Sequence, residues 1–194
     1  MNKTFRRSPV VHLLRALVRS TRREWHRACL RADGLEIGAG VIIEQDKGCT
    51  FTAGSGCSIG TGSLLVLRSN NAVSNHIKLG ERVAINEYNN LRAAGGDIHI
   101  GSHCQIAQFC TLVAGNHIVE TIQYIRDAPL DRSKGSICIE EDVWIGANCV
   151  ILPGVTVGRG AVIGAGSIVT KDIPAYSIHV GNPSRLLRLR TIHA

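Results

Sequence analysis

The segment IEEDVWIGANCVILPGVTVGRGAVIGAGSIV, residues 139–169, carries a strict repeat of six residues. Every sixth position holds a branched aliphatic side chain: Ile139, Ile145, Ile151, Val157, Ile163 and Val169. A period of six fits neither the 3.6-residue period of an amphipathic helix nor the simple alternation of a hairpin strand. It is typical of a parallel β-helix, in which each hexad supplies one short strand and one turn. We therefore predict that these aliphatic side chains point into the interior.

Two further hexad positions fit this interpretation. The residue two before each aliphatic is mostly small or β-branched, and we expect it to fill a corner of a triangular coil. Glycine follows the aliphatic at Gly146, Gly158 and Gly164. We expect these glycines to permit turn conformations that a Cβ would strain. Hexads recur from Leu35 onward and predict about seven coils.

The composition agrees with a narrow aliphatic interior, because 44% of the residues are hydrophobic but only 4% are aromatic. No apolar run is long enough to predict a membrane span. Four of the seven cysteines stand at the corner position. Free cysteine is a small, well-buried residue, so we expect unpaired thiols in a reducing, cytoplasmic protein. The four are Cys57, Cys104, Cys110 and Cys149.

The basic charge of the chain is concentrated in residues 1–31, which carry +8, whereas residues 32–194 carry −1. Ser8 and Pro9 can start a helix and Gly34 can end it, so residues 1–34 are predicted to form a basic amphipathic helical arm. We expect its apolar face to pack on the β-helix or on a neighbouring subunit, with peripheral contact to anionic membrane through residues 1–31 as the alternative. Nucleic acid is not an expected partner, because the body offers no basic groove.

The hexads break at residues 113–136, VAGNHIVETIQYIRDAPLDRSKGS. An insertion of this kind maps to one edge of a solenoid, often the edge that binds a ligand. We therefore expect an excursion loop at about residues 118–136, and we expect the chemistry of the protein beside it.

Four segments carry a resemblance to a known family: GNH at 115–117, VWIGANCVILPGVTVG at 143–158, IGAGSIVTKDIP at 163–174 and GNPSRLL at 181–187. Over about residues 77–188 the chain resembles the hexapeptide-repeat acyltransferases, in particular the galactoside, maltose and surface-polysaccharide O-acetyltransferases. The resemblance implies an all-β, left-handed parallel β-helix over residues 35–194 and a homotrimer with sites between subunits. It implies transfer of an acetyl group from acetyl-CoA, without a metal, to a sugar or glycan hydroxyl in cell-surface polysaccharide synthesis.

The resemblance places the catalytic histidine at His117. A sugar hydroxyl is a weak nucleophile, and imidazole is a suitable general base near neutral pH. Glu120, Asp127 or Asp131 could orient the ring, and the spacing does not choose among them.

The remaining site residues are also implied by the resemblance. Asn86 and Asn89 fall where sugar-acetylating relatives hold the acceptor, and an amide suits a hydroxyl group because it both donates and accepts. The expected acetyl-CoA contacts are Trp144, Ala147, Ala165, Thr170, Lys171, Arg185 and Arg188, with the cations near the phosphates.

Three other functions are alternatives to this one. A zinc-dependent γ-carbonic-anhydrase-like protein needs a histidine pair five positions apart, and the histidine spacings here do not supply it. A non-catalytic scaffold would be expected to lose His117 or the segments matched to coenzyme A, and both are present. An acetyltransferase of another small acceptor, such as an antibiotic or an amino sugar, stays open.

Overall fold

A computed structural model describes Leu30 and residues 34–69, 73–131 and 133–191 of the chain. Leu30 is helical, and the rest of the predicted arm before Gly34 lies outside the described residues. The strands, in chain order, are β1 (Glu36–Ile37), β2 (Ile42–Gln45), β3 (Thr50–Ala53), β4 (Ser58–Ile59), β5 (Leu64–Leu67), β6 (His76–Leu79), β7 (Ala84–Ile85), β8 (Asn90–Ala93), β9 (Ile98–Ile100), β10 (Gln105–Ile106), β11 (Thr111–Ala114), β12 (Asn116–His117), β13 (Leu130–Asp131), β14 (Ile137–Ile139), β15 (Trp144–Ile145), β16 (Val150–Ile151), β17 (Thr156–Val157), β18 (Val162–Ile163), β19 (Ile168–Val169), β20 (Ser177–Val180) and β21 (Arg185–Leu189).

The strands are distributed over three parallel sheets, which form the faces of a triangular prism. Face A has the order β1-β4-β7-β10-β15-β18-β20, and β21 is added to β20 antiparallel. Face B has the order β2-β5-β8-β11-β16-β19, and face C has the order β3-β6-β9-β14-β17. The chain passes through the A–B, B–C and C–A corners in turn. The predicted all-β, left-handed parallel β-helix is confirmed, with about six coils where the sequence predicted seven.

The hexad aliphatics form the core, as predicted. The six residues from Ile139 to Val169 that set the period are fully buried, at 0% exposure. The corner residues two positions earlier are buried with them: Ile137, Val143, Cys149, Val155, Ala161 and Ser167. Burial of one such aliphatic side chain is worth about 1.5–3 kcal/mol relative to exposure. The repeat therefore stabilises every coil against its neighbours.

Corner cysteines also contribute hydrogen bonds between coils. The thiols of Cys57, Cys104 and Cys110 lie 3.0, 2.9 and 3.1 Å from carbonyl oxygens of the next coil. The six described cysteines are free. Burial raises the pKa of the Cys104 thiol to about 11, which keeps it protonated at neutral pH. These contacts explain why a weak donor suits the corner as well as an aliphatic does.

The role predicted for the glycines after the aliphatics is wrong. The left-handed turn positions occur three residues before the aliphatic, at Asp142, Asn148, Gly154, Gly160 and Gly166. Gly146 and Gly158 instead lie close under the next coil. A Cβ would lie 2.6 Å from the Ala165 nitrogen at Gly146 and 2.5 Å from the Ala175 nitrogen at Gly158. These two glycines are required by close packing between coils.

Candidate active site

The excursion loop leaves the prism at the B–C corner after β11. Its base is a short antiparallel pair of β12 with β13, in which Asn116 pairs with Asp131 and His117 with Leu130. The Ile118 N–H donates to the Pro129 carbonyl at 3.0 Å and extends this pairing. A Cβ on Gly95 in the preceding coil would lie 2.8 Å from the Gly115 Cα. The loop can therefore leave the coil here because glycine lets the two backbones meet.

One hydrogen bond orients the His117 ring. The far end of the loop forms a tight turn in which the Tyr124 carbonyl accepts from the N–H groups of Asp127 and Ala128. The buried Ala128 then offers its own carbonyl oxygen 2.9 Å from His117 Nδ1. Because a carbonyl oxygen only accepts, the shared proton resides on Nδ1. The lone pair of Nε2 is then available, as a general base requires.

None of the three candidate carboxylates is hydrogen-bonded to His117 among the described residues. Asp131 accepts from the Ser133 hydroxyl at 2.7 Å and from its N–H at 2.9 Å. These bonds lower the pKa of Asp131, with the hydroxyl as the main cause. Glu120 is exposed, and Asp127 lines the cleft beside the ring. The backbone carbonyl, which sequence reasoning did not consider, therefore takes the orienting role.

An open cleft of about 560 Å³ lies beside His117. Its other lining residues are Arg68, Ser69, Ala94, Asp127, Ala128, Pro129 and Leu130. The Arg68 guanidinium lies 2.6 Å from Glu44 and 3.2 Å from Asp46, and its hydrogen bond to Glu44 is the main cause of its raised pKa. The sequence missed this group because residues 44–75 show few hexads. One usable signal was that Arg68 directly follows β5, one coil after Asp46 directly follows β2, with Glu44 inside β2.

The two candidate acceptor asparagines lie on the A–B corner, away from His117 within one chain. Asn89 is only 1% exposed. Its amide donates to the Asn86 carbonyl at 2.9 Å, and its oxygen accepts from the Cys110 N–H at 2.7 Å. These contacts use Asn89 as a turn residue and correct its expected role in acceptor binding. The side chain of Asn86 is half-buried, and Asn86 stays a candidate only if a second copy brings this corner to His117.

An exposed aromatic pair beside Asn86 was not predicted. Tyr88 and Phe109 stack with ring centroids 5.4 Å apart and planes 5° from parallel. Both residues adopt left-handed backbone conformations, at φ 55° and 61°. Such conformations are costly for bulky residues. The sequence could have indicated this conformation, because both residues stand three positions before an inward aliphatic, as Gly62 and Asn148 do.

The structure divides the predicted coenzyme A residues into three groups. Ala147 and Ala165 lie on successive coils of the A–B corner, where the Gly166 N–H donates to the Ala147 carbonyl at 2.8 Å. Exposed Trp144 lies on face A in one row with Arg188, joined by the pairings through Val162 and Ile178. The third group is at the B–C corner of the last coil and on β21: Thr170, Lys171 and Arg185. Lys171 and Arg185 line one cavity.

The excursion loop exposes large apolar side chains to solvent. Val119, Ile122, Tyr124 and Ile125 are all exposed, and Ile122 is fully so. A stretch of this kind is typical of a surface that contacts another molecule. Among the described residues, no helix is both long and apolar enough to cross a bilayer.

Comparison with known proteins identifies the repeat and its relatives. The model of the bacterial transferase hexapeptide, with six repeats, matches residues 139–171. A galactoside O-acetyltransferase of Lactococcus lactis is 39% identical over 92 residues, which are 47% of this chain and 43% of that protein. A Staphylococcus aureus protein named as an acetyltransferase is 41% identical over 113 residues, which are 58% and 55% of the two proteins. The chain spans about half the length of the curated relatives it matches.

Solved structures share the fold. A galactoside acetyltransferase in complex with coenzyme A aligns with 80% of this chain and 65% of its own, at 28% identity and a TM-score of 0.50. A variant of AntD, an N-acyltransferase from Bacillus cereus, aligns with 86% of this chain and 89% of its own, at a TM-score of 0.63. It was solved with dTDP-4-amino-4,6-dideoxyglucose and coenzyme A. At 20% identity, this second match shows the common fold alone.

Proposed function

We propose that this chain, whose residues 139–171 match the bacterial transferase hexapeptide model, is an acetyl-CoA-dependent O-acetyltransferase that acts on a sugar hydroxyl. The observation that carries the proposal is the bond from His117 Nδ1 to the Ala128 carbonyl, at the mouth of a cleft on the insertion edge. The similarity to a galactoside O-acetyltransferase supports the reaction and the acceptor class. A role in cell-surface polysaccharide synthesis is part of the same proposal.

The chemistry follows from the free Nε2 lone pair. Nε2 removes the hydroxyl proton of the acceptor while the oxygen attacks the thioester carbonyl carbon of acetyl-CoA. A C–O bond forms, the C–S bond breaks, and the coenzyme A sulfur leaves with the proton that His117 held. The products are the acetyl ester and the free thiol. General-base assistance of this kind contributes about 10²–10⁴ in rate.

The cleft suits a neutral acceptor better than an anionic one. Arg68 is the cation that lines it, and this cation already lies within salt-bridge distance of Glu44 and Asp46. A second anion would compete with these carboxylates for the guanidinium. A hydroxyl-rich acceptor needs only hydrogen bonds, which the remaining guanidinium N–H groups and Asp127 can supply.

A second copy of the chain would complete the site. The acceptor candidate Asn86 and the aromatic pair Tyr88–Phe109 lie on the A–B corner, whereas His117 lies on the B–C corner. Only a neighbouring chain can bring one corner to face the other. The exposed apolar loop supports such a contact, and we propose the homotrimer implied by the sequence resemblance.

Acetyl-CoA would then lie along the A–B corner and face A, with its nucleotide end at the end of the prism that the last coil and β21 form. Trp144 would contact the pantetheine arm, and the small side chains of Ala147 and Ala165 would let the cofactor approach the backbone. Thr170, Lys171, Arg185 and Arg188 would meet the nucleotide end, where cations suit phosphates.

The test is release of coenzyme A thiol from acetyl-CoA in the presence of separate acceptors. The panel contains simple sugars, nucleotide sugars, polysaccharide repeats, amino sugars and aminoglycoside antibiotics, with the product identified by mass spectrometry. The proposal expects an O-acetylated sugar. N-acetylation of an amino sugar or antibiotic would show that the acceptor is an amine and not a sugar hydroxyl. A protein that neither binds acetyl-CoA nor turns over any acceptor would be a non-catalytic scaffold.

A further inference from the structure

Two exposed aromatic residues occupy turn positions that suit glycine or asparagine. Tyr88 and Phe109 lie on successive coils of the A–B corner, and their left-handed backbone conformations are costly for bulky side chains. The side chains are 54% and 53% exposed, so burial offsets only part of this cost. Strained residues of this kind cluster at ligand sites. The equivalent positions on other coils of the corner hold the small or polar residues Gly40, Gly62, Asn148 and Gly166.

The two rings form a stack that the corner holds in place. Gly62, on the preceding coil, makes room for the Tyr88 ring, because a Cβ there would lie 2.5 Å from Tyr88 Cδ1 and Cε1. The Tyr88 N–H donates to the Thr61 carbonyl at 2.9 Å, and the Phe109 N–H donates to the Glu87 carbonyl at 3.1 Å. The stack is therefore ordered before a ligand arrives, which lowers the entropy cost of binding.

The aromatic stack and the His117 cleft lie at opposite ends of the same strands. Tyr88 stands just before β8 and Ala94 directly after it, whereas Phe109 stands just before β11 and His117 shortly after it. Ala94 and His117 both line the cleft. Along the prism axis, each ring is therefore level with one residue of the cleft.

This match in height is kept in a trimer. A threefold axis parallel to the prism axis leaves every coil at its own level. In the proposed homotrimer, the A–B corner of one chain meets the B–C corner of the next. Tyr88 and Phe109 of one copy would then lie opposite the cleft of its neighbour, at the level of His117.

The cleft of one chain lacks the surface that the stack would add. A pyranose ring carries hydroxyl groups at its rim and C–H groups on its faces. Arg68 and Asp127 line the cleft and can bond the hydroxyl groups, but no aromatic ring is among its described lining residues. Ligand sites usually combine a few polar groups with apolar and aromatic walls. The stack of a neighbouring copy supplies a wall of this kind.

We propose that Tyr88 and Phe109 of a neighbouring copy form the aromatic wall of the acceptor site and pack against the C–H groups of a pyranose ring. This inference rests on the proposed acetyltransfer and on the proposed homotrimer. It makes the acceptor a ring-form sugar and not an open-chain polyol. The two aromatic residues are then determinants of acceptor specificity.

The test uses the variants Tyr88→Asn and Phe109→Asn. Asparagine tolerates the left-handed conformation and already occupies this position at Asn148, so both variants should fold with an unchanged or higher Tm. Tyr176→Asn is the matched control. Tyr176 also has a left-handed conformation, at φ 55°, and its ring also lies over a glycine, Gly160, but it stands on the C–A corner just before β20.

Binding of two probes is measured by saturation-transfer NMR: methyl β-galactopyranoside, and galactitol, which carries similar hydroxyl groups without a ring. The wild-type protein should prefer the galactoside. Tyr88→Asn and Phe109→Asn should each lower this preference by roughly three- to tenfold, because an aromatic contact is lost. Tyr176→Asn should keep the wild-type preference.

A wild-type protein that binds neither probe, or binds both equally, would overturn the proposal, and so would variants that keep the full preference. Analytical ultracentrifugation separates a further outcome. If the variants dissociate and lose both probes equally, the stack is a contact between subunits and the proposal is wrong. The proposed acetyltransfer fails on a different result, namely a galactoside that binds with the expected preference but releases no coenzyme A thiol from acetyl-CoA.

Discussion

His117 and His179 lie in opposite hydrogen-bonding environments on the same β-helix. The Nδ1 of His117 is hydrogen-bonded to a backbone carbonyl, which leaves a basic nitrogen beside an open cleft. His179 is enclosed at the end of the prism with neither nitrogen paired. The first arrangement suits the general base that we propose, and the second leaves two buried polar atoms unsatisfied, which costs stability.

The two kinds of glycine in the hexads should respond differently to substitution. Gly146→Ala should destabilise the protein by about 1–3 kcal/mol, because its Cβ would meet the next coil at 2.6 Å. Gly166→Asn should cost less than about 1 kcal/mol, because asparagine tolerates the left-handed conformation and Asn148 already adopts it at φ 58°. Chemical denaturation of both variants checks this order, and equal losses would contradict the packing argument.

His179 should make the stability of the protein depend on pH. Burial lowers the pKa of His179 below its ordinary value of 6.5, with Lys171, Asp172 and Arg185 the charged groups around it. As the pH falls through 6.5, the unfolded chain takes up a proton before the folded protein does, so stability is lost in that window. Thermal melts should show His179→Val gaining on the wild type as the pH falls below neutral. A difference that is constant with pH would contradict this.

At the residue scale, the direction of a side chain can be predicted from the sequence when the residue follows the six-residue repeat. Ile145 and Cys149 could be placed inward because their period fixes their direction. Asn89 was misread because the period does not say whether an amide is used by its own turn, and here the Asn86 carbonyl and the Cys110 N–H use it. Arg68 was missed because its partners belong to a coil with weak hexads.

At the scale of elements, the excursion loop positions the proposed general base, His117. The break in the hexads located it, but the break contains no information on the pairing of β12 with β13. That pairing brings Ala128 back to His117 from eleven positions along the chain. Hydrogen bonds from a backbone carbonyl leave no trace in side-chain identity, so the sequence offered only carboxylates as candidates.

The loop geometry predicts the effect of Asp127→Asn. Because the Ala128 carbonyl orients His117, the variant should keep kcat within about threefold, far less than the 10²–10⁴ that a general base contributes. Any loss should fall on the KM of the acceptor, since Asp127 lines the cleft. Steady-state kinetics with one working acceptor measure both constants. A fall in kcat as large as that of His117→Ala would make Asp127 the orienting group.

At the scale of the whole molecule, the site that we propose is divided within one chain between the A–B and B–C corners of the prism. Analytical ultracentrifugation should therefore find three chains of 20.9 kDa associated at micromolar concentration. Replacement of Ile122 and Ile125 by serine should weaken this association, because the loop would lose apolar contact area. A wild-type protein that sediments as a monomer would contradict the shared site.

The central claim is that His117 is the general base, and the kinetics of His117→Ala test it most directly. The variant should lose about 10²–10⁴ in kcat and keep its affinity for acetyl-CoA, because the imidazole acts on the acceptor. His99→Ala is the matched control, since that exposed histidine lies on face C, and it should keep wild-type kcat. Full kcat in His117→Ala would contradict the account.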